Sequence, residues 1–217
     1  PGGLSSPLPG ESKVRVPSEA AFWGVGWAAL HTALAHPDQD LMVLFKSSPY
    51  GGVSHSHANQ NGFAVLKGGR ALAAPGGLRF PHHGSPFHVG YTQQSISHNT
   101  ILVDGQGQIN RDGSRGGELV DLQRSAHMAY VCGDAANAYG ERLLRFKRHI
   151  LLVKPGLLCI VDDLEAPEPS TFQWLLHAFE RFELGPEQTF VSRRGEAQMA
   201  VRLLSNVDLT LTQTDQW

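Results

Sequence analysis

The sequence has little of what marks several large protein classes. No apolar run reaches the roughly 18 residues of a membrane-spanning helix, so a membrane span is not expected. No block of one charge sign occurs: Arg193-Arg194 and Arg145 to Arg148 are short and broken by neighbours of other character, and the formal net charge is -2. Nucleic acid and anionic membranes are therefore not expected partners, although net charge says little about one cleft. Only two cysteines occur, Cys132 and Cys159. Both sit in apolar strand-like runs and read as buried free thiols, a disulfide staying open if their strands adjoin. There is no Gly-x-Ser-x-Gly elbow, no phosphate-binding Gly-Lys-Ser/Thr loop and no paired Cys-x-x-Cys motif. Nothing selects a carboxylate pair for glycoside hydrolysis either. Asp162-Asp163 are adjacent, would face opposite sides of a strand, and are expected to end one at a turn. The chain begins without Met or a signal-like segment; it is expected to be a piece of a longer polypeptide, and its compartment cannot be read.

What remains is a globular composition, with 41% hydrophobic and 18% charged residues over 217 positions. Residues 1–17, rich in Gly, Pro and Ser, read as a linker or a remnant of an upstream region, and residues 18–217 as one β domain. Residues 18 to 36 are ambiguous: Ala28 to Ala35 favours helix by propensity, whereas Gly24-Val25-Gly26-Trp27 opposes it. From Leu41 onward, runs at 41–46, 62–67, 99–103, 126–132, 143–153, 157–163, 171–179, 197–204 and 207–212 alternate with turn signals. The series predicts an all-β fold, a large antiparallel β-sandwich of stacked sheets, with its best hairpin over 143–163 turning at Pro155-Gly156.

Six of the eleven histidines fall between residues 55 and 98. His55 and His57, two apart in Ser54-His55-Ser56-His57-Ala58-Asn59-Gln60-Asn61, would point the same way on an extended chain and could share one ligand. The stretch from Pro75 to Ile96 carries His82, His83, His88 and Tyr91 among many Gly and Pro. A loop of about 20 residues with that content is expected to be functional. Tyr91 either donates its phenol to a ligand or covers the loop; Gln94 and Asn59 are weaker candidates for binding sugar hydroxyls. His82, His83 and His88 read as loop surface, and His149 and His177 as structural residues bonded across a sheet.

The order Lys46-Ser47-Ser48-Pro49-Tyr50-Gly51-Gly52, the His-Ser-His-Ala-Asn-Gln-Asn-Gly-Phe segment, Leu72 to Gly77, His98-Asn99-Thr100 and Val103-Asp104-Gly105-Gln106-Gly107-Gln108 resembles the heparinase II/III-like polysaccharide lyases. Arg148-His149, Lys154-Pro155, Val161-Asp162-Asp163 and Trp174-Leu175-Leu176-His177 extend the likeness over most of residues 24 to 180, and it looks closest to oligo-alginate lyase-like members. The resemblance implies the β-sandwich that follows an N-terminal α/α toroid, and strand rather than helix over 24–35. It further implies an acidic polysaccharide as substrate and β-elimination at a uronic acid, with His55 as the catalytic residue of this portion. Histidine suits a base or charge-stabilising role because small environmental changes move its protonation across neutral pH.

By the same resemblance the principal His and Tyr acid/base pair lies in the toroid, so this segment alone is expected to be weak or inert. Relatives hold a zinc or similar ion with the second histidine, an acidic residue after the next strand, and a later His; His57 and His98 match two of these positions. The acidic position falls at Pro75, whose side chain cannot ligate, so the site either recruits His82, His83 or water or has lost its ion. A noncatalytic carbohydrate-binding or structural sandwich stands as the second reading.

Overall fold

The computed structural model describes residues 16–76 and 82–216. The expected linker at 1–17 lies outside the described residues except for its last two positions. One antiparallel sheet runs in sequence order, β1 (Glu19–Phe22), β2 (Trp27–His31), β3 (Leu41–Lys46), β4 (Gly62–Lys67) and β5 (Arg70–Ala73). Strand, not helix, therefore occupies 27–31: Gly26, with its positive φ, closes the β1–β2 turn, and Ala28 and Leu30 are buried on alternate positions. β6 (Ile101–Val103) pairs later with β11. The second large sheet comprises β7 (Glu118–Arg124), β8 (Met128–Asp134), β9 (Arg145–Val153) and β10 (Leu157–Glu165), in the order β10-β9-β8-β7. β11 (Phe172–Trp174), in its own two-stranded sheet, and a separate three-stranded meander of β12 (Glu183–Leu184), β13 (Thr189–Arg194) and β14 (Ala197–Arg202) complete the described strands.

Period-two burial defines the layers. Val43 and Phe45 of the first sheet face Val131, Ile150 and Leu152 of the second, all of them fully buried in one core. Each such side chain contributes roughly 1.5–3 kcal/mol on leaving water. Two sheets closed over a shared apolar layer make the β-sandwich that the strand series predicts. A smaller cluster around Ile101, Tyr139 and Phe146 seals one end.

Several expectations change. The 207–212 stretch forms no strand: Val207 and Leu209 are exposed, and no described strand pairs with it. An apolar-polar alternation needs a neighbour's free edge to become a strand. Cys132 is buried but Cys159 is exposed, and both are free. They lie on β8 and β10 with β9 between them, so the pairing left open by the sequence does not form. Asp162-Asp163 sit inside β10 rather than at its end. Their side chains do face opposite sides: Asp163 meets Arg145 on the outer face, and Asp162 turns inward.

The inward turn of Asp162 has a partner. β9 alternates strictly, putting Phe146, Arg148, Ile150 and Leu152 on its buried face, and register sets Asp162 directly across from Arg148. Arg148 Nε and Nη2 donate to the two carboxylate oxygens at 2.7 and 2.6 Å, a bidentate geometry. Its Nη1 donates to the carbonyls of Asn61 and Asn99 at 2.6 and 2.8 Å, and the guanidinium lies over the rings of Phe63 and Phe146. Removing one partner leaves the other charge buried and alone. Arg148→Met and Asp162→Asn should each destabilise the chain by about 3–5 kcal/mol in denaturant unfolding. The double variant Arg148→Met, Asp162→Asn should lose less than the two single losses added together; additive losses would refute the pair as one unit.

Candidate active site

The site is built where the chain leaves β3, crosses to β4, and returns through the 82–100 segment. Residues 47–61 form no strand, yet they are firmly held. Ser48 N donates to Gln60 Oε1, Gln60 N to Gln108 Oε1, and Gln108 Nε2 to the Gln60 carbonyl, each within 2.8 Å. Ser95 Oγ bridges the Ala58 carbonyl and the Gln108 amide at 2.7 and 2.8 Å. Gln60, Ser95 and Gln108 are buried, so this polar lattice is satisfied by the protein itself. Asn99 adds a further tie: its Nδ2 donates to the Phe63 carbonyl and its Oδ1 accepts from the His177 amide, both at 2.8 Å.

Against this backing the imidazoles gather. His55 is exposed and its ring centroid lies 4.9 Å from that of His83. His83 lies 4.7 Å from His88, His88 6.0 Å from His57, and His57 5.1 Å from His98. Five rings thus run from the surface to the buried His98. The expectation that His55 and His57 point at one ligand fails: Ser54 takes a left-handed backbone (φ 54°), and a turn over 53–56 breaks the period of two. His55 stands instead at the surface end of the histidine series and His57 one place from its buried end. His88 is buried rather than loop surface, on a π-helical turn His88–Thr92 that also corrects the expected open loop; Ser85 Oγ accepts from the His88 amide at its start. Residues 77–81 of that loop lie outside the described residues.

An open cavity of about 350 Å³ lies beside this series, walled by Val53, Ser54, His83, His88, Gln93 and Arg111, with no carboxylate on its wall among the described residues. That volume is within the range of small-ligand sites. Gln93 and Arg111 escape sequence reasoning because neither sits in a motif with a characteristic spacing. The sugar-binding candidates fare differently. Tyr91 is buried and its pKa is raised by desolvation. Its hydroxyl and the His177 ring crowd Gly76 so closely that a Cβ there would stand 2.8 and 2.9 Å from them, which supports the loop-covering reading of Tyr91. Gln94 Nε2 is spent on the Val89 carbonyl at 2.8 Å. Asn59 Oδ1 accepts from Lys46 Nζ at 2.5 Å. His149 bonds Tyr130 across the sheet, as expected of a structural residue, but His177 lies outside any strand and meets Asn99 Oδ1 at 3.2 Å.

The electrostatics differ with depth. His98 is held neutral, its pKa drawn down to about 3 by burial first and by neighbouring His57 second. Burial lowers His177 as well. Lys46, buried at the end of β3, is drawn down to about 8 by desolvation.

The donor set can be tested against a zinc ion. His57 Nδ1 and His98 Nε2 do meet, at 3.1 Å. His98 Nε2 also faces the Thr92 carbonyl at 3.1 Å, and a carbonyl only accepts, so in the neutral ring this nitrogen carries the hydrogen. A protonated nitrogen is no metal ligand. Pro75 is exposed and offers no donor, and among the described residues no three His, Cys, Asp or Glu side chains converge for metal binding. The residues present therefore do not fit a closed zinc site, which needs about four ligands.

The geometry defines an antiparallel β-sandwich with an imidazole-lined cleft in its inter-strand loops. The family model "Heparinase II/III-like, C-terminal" matches residues 15–216, and the chain belongs to that family. Among solved structures, a mutant of the heparan sulfate lyase HepC from Pedobacter heparinus matches with TM-score 0.74 and 13% identity, over 92% of this chain and 31% of that one. A heparinase III structure matches with TM-score 0.72 and 15% identity, over 90% and 31% respectively. The chain thus spans just under a third of those proteins, and at such identity the likeness shows the fold. No curated protein sequence matches.

Two outcomes follow. Purified protein should carry no stoichiometric metal, and chelator should leave its melting temperature unchanged; an equimolar ion lost in His57→Ala would overturn this. For Lys46, the folded chain holds its proton less tightly than the unfolded chain does. The burial penalty is complete below pH about 8 and fades as pH rises toward the ordinary value of 10.5, so stability rises across that window. Lys46→Met should abolish the rise and gain up to roughly 3 kcal/mol at pH 7. Parallel pH dependences of parent and variant stability would refute a buried ammonium.

Proposed function

We propose that this chain is the β-sandwich portion of a polysaccharide lyase that cleaves uronic-acid-containing polysaccharide, alginate oligomers or glycosaminoglycan, by β-elimination. The observation that carries the reading is the exposed His55 at the end of an imidazole series, beside a cavity whose wall holds Arg111 and, among the described residues, no carboxylate. An anionic sugar meets no like charge on that wall, and an imidazole stands beside it. In the reaction a base takes the proton α to the carboxylate, the electron pair becomes the new double bond, and the glycosidic C–O bond at the β carbon breaks. The leaving oxygen takes a proton from an acid. Neutralising the carboxylate makes the α proton acidic enough to be removed.

His55 is the group of this chain nearest that chemistry. Buried His98 and half-buried His177, both with pKa values lowered by burial, serve behind it as supports. The acid/base pair that the resemblance assigns to an upstream toroid lies outside this chain, so activity belongs to the longer polypeptide. No step is routed through a metal ion, because the His57–His98 pair closes on itself.

A second reading, a noncatalytic carbohydrate-binding sandwich, draws on Pro75 standing where relatives carry an acid. The two separate on one measurement. The segment joined to its natural upstream sequence should produce unsaturated uronate ends from alginate oligomers or glycosaminoglycans, and His55→Ala should lower kcat at least about 100-fold. Absence of product from every uronate polymer, or a His55→Ala variant equal to the parent, refutes the lyase reading.

A further inference from the structure

Arg111 differs from the ion-paired arginines of the sheet and its loops, and of the described arginines without a carboxylate partner it is the one on the cavity wall. Arg145, Arg148, Arg193 and Arg202 each meet a carboxylate within 3.0 Å. Arg115, four residues on in the same loop, meets Asp112 and Asn137. Among the described residues no carboxylate pairs with Arg111. Its side chain is exposed on the cavity wall, with His83 and Gln93 on the same wall.

Its backbone is fixed in an unfavourable conformation. Arg111 has φ 62°, the left-handed region that non-glycine residues seldom occupy. Two bonds hold it there: its amide donates to the Gly52 carbonyl at 2.7 Å and to Asn110 Oδ1 at 2.9 Å. Gly52 permits the approach, since a Cβ at that position would stand 2.6 Å from Asn110 Oδ1. The strain thus directs a long cationic side chain onto a cavity that offers it no internal anion, and backbone strain of this kind gathers at functional sites.

We propose that Arg111 is a specificity-determining residue of this cleft, its guanidinium binding the anionic substituent, carboxylate or sulfate, of an acidic sugar seated in the cavity. The proposal rests on the reading of the cleft as a site for acidic saccharide. Carboxylate and sulfate share the chemistry: two oxygens on one face match the guanidinium fork, which a lysine ammonium cannot reproduce. Gln93 and His83 supply neutral or donor groups beside it for hydroxyls of the same sugar.

The test uses the full-length polypeptide, in the parent form for turnover and with His55→Ala for binding. Arg111→Asn removes the charge and keeps a residue tolerant of the left-handed backbone, so the loop is preserved. Arg111→Lys keeps the charge and loses the fork. Binding is measured by calorimetry for an oligouronate bearing carboxylates alone, a sulfated uronate oligomer and a neutral oligosaccharide of equal length. Loss of a charged hydrogen-bonded contact predicts that Arg111→Asn weakens the acidic ligands roughly 10- to 100-fold, with Arg111→Lys between it and the parent and the neutral ligand unchanged. In turnover the loss should appear in KM and diminish at high salt. Whichever acidic oligomer loses more identifies carboxylate or sulfate as the group read.

Unchanged affinity and KM in Arg111→Asn overturn the proposal even if unsaturated ends form, leaving the lyase reading intact. Equal loss for acidic and neutral ligands overturns it too. Arg111-dependent binding by a parent that yields no unsaturated product supports Arg111 and defeats the lyase reading. A parent that binds no acidic oligosaccharide defeats both.

Discussion

The buried guanidinium of Arg148 is the constraint on which the site depends. It reaches in three directions at once: to Asp162 on the neighbouring strand, to the Asn61 carbonyl at the end of the His-x-His loop, and to the Asn99 carbonyl just after His98. A charge with no exposure is costly unless each of its donors is satisfied. That cost makes the arrangement specific, because moving either loop would strand a donor of a buried cation. The two segments that carry His57 and His98 are therefore set relative to one another by a residue of the sheet, although neither belongs to a strand. Phe63 and Phe146 on the faces of the guanidinium restrict its remaining freedom.

Around that anchor the molecule divides into a rigid floor and an open rim. The floor is the lattice of Gln60, Gln108, Ser95 and Thr100, where side-chain amides and hydroxyls replace the strand ladder that irregular backbone lacks. Buried loops are rare because their backbone groups need partners. This one is tolerated since glutamine and serine side chains supply them. The rim, with His55, His83 and Arg111, has no comparable set of internal bonds and stands exposed. A fixed floor under polar side chains open to solvent suits reading a flexible polymer, where positions must be precise and access unhindered.

Much of this was legible in the sequence, and what was not has identifiable causes. The sandwich follows from period-two runs separated by Gly and Pro turns, and the hairpin at Pro155-Gly156 formed where the pattern put it. Residues 27–31 were ambiguous because alanines favour helix locally, while pairing with β3 decides for strand. The 207–212 run misleads for the opposite reason, having the alternation without a partner. At the site, motifs marked Asn99, Arg148 and Asp162 as belonging together in order, but only coordinates show that they form one network. His88 was hidden because burial of a histidine depends on a helical turn within a Gly- and Pro-rich stretch. Arg111 was hidden because its distinction is a place on the cavity wall, a property of space rather than of spacing.

The arrangement of charge with depth limits how the cleft can work. Burial keeps His98 neutral, and the Thr92 carbonyl fixes where its hydrogen sits, so its bond to His57 is oriented. Arginine keeps its charge in every such setting. Under the proposed reading, that cation at the rim would hold an anionic sugar at its charged group while the sugar ring faces the imidazoles behind it. This ordering separates recognition from proton transfer.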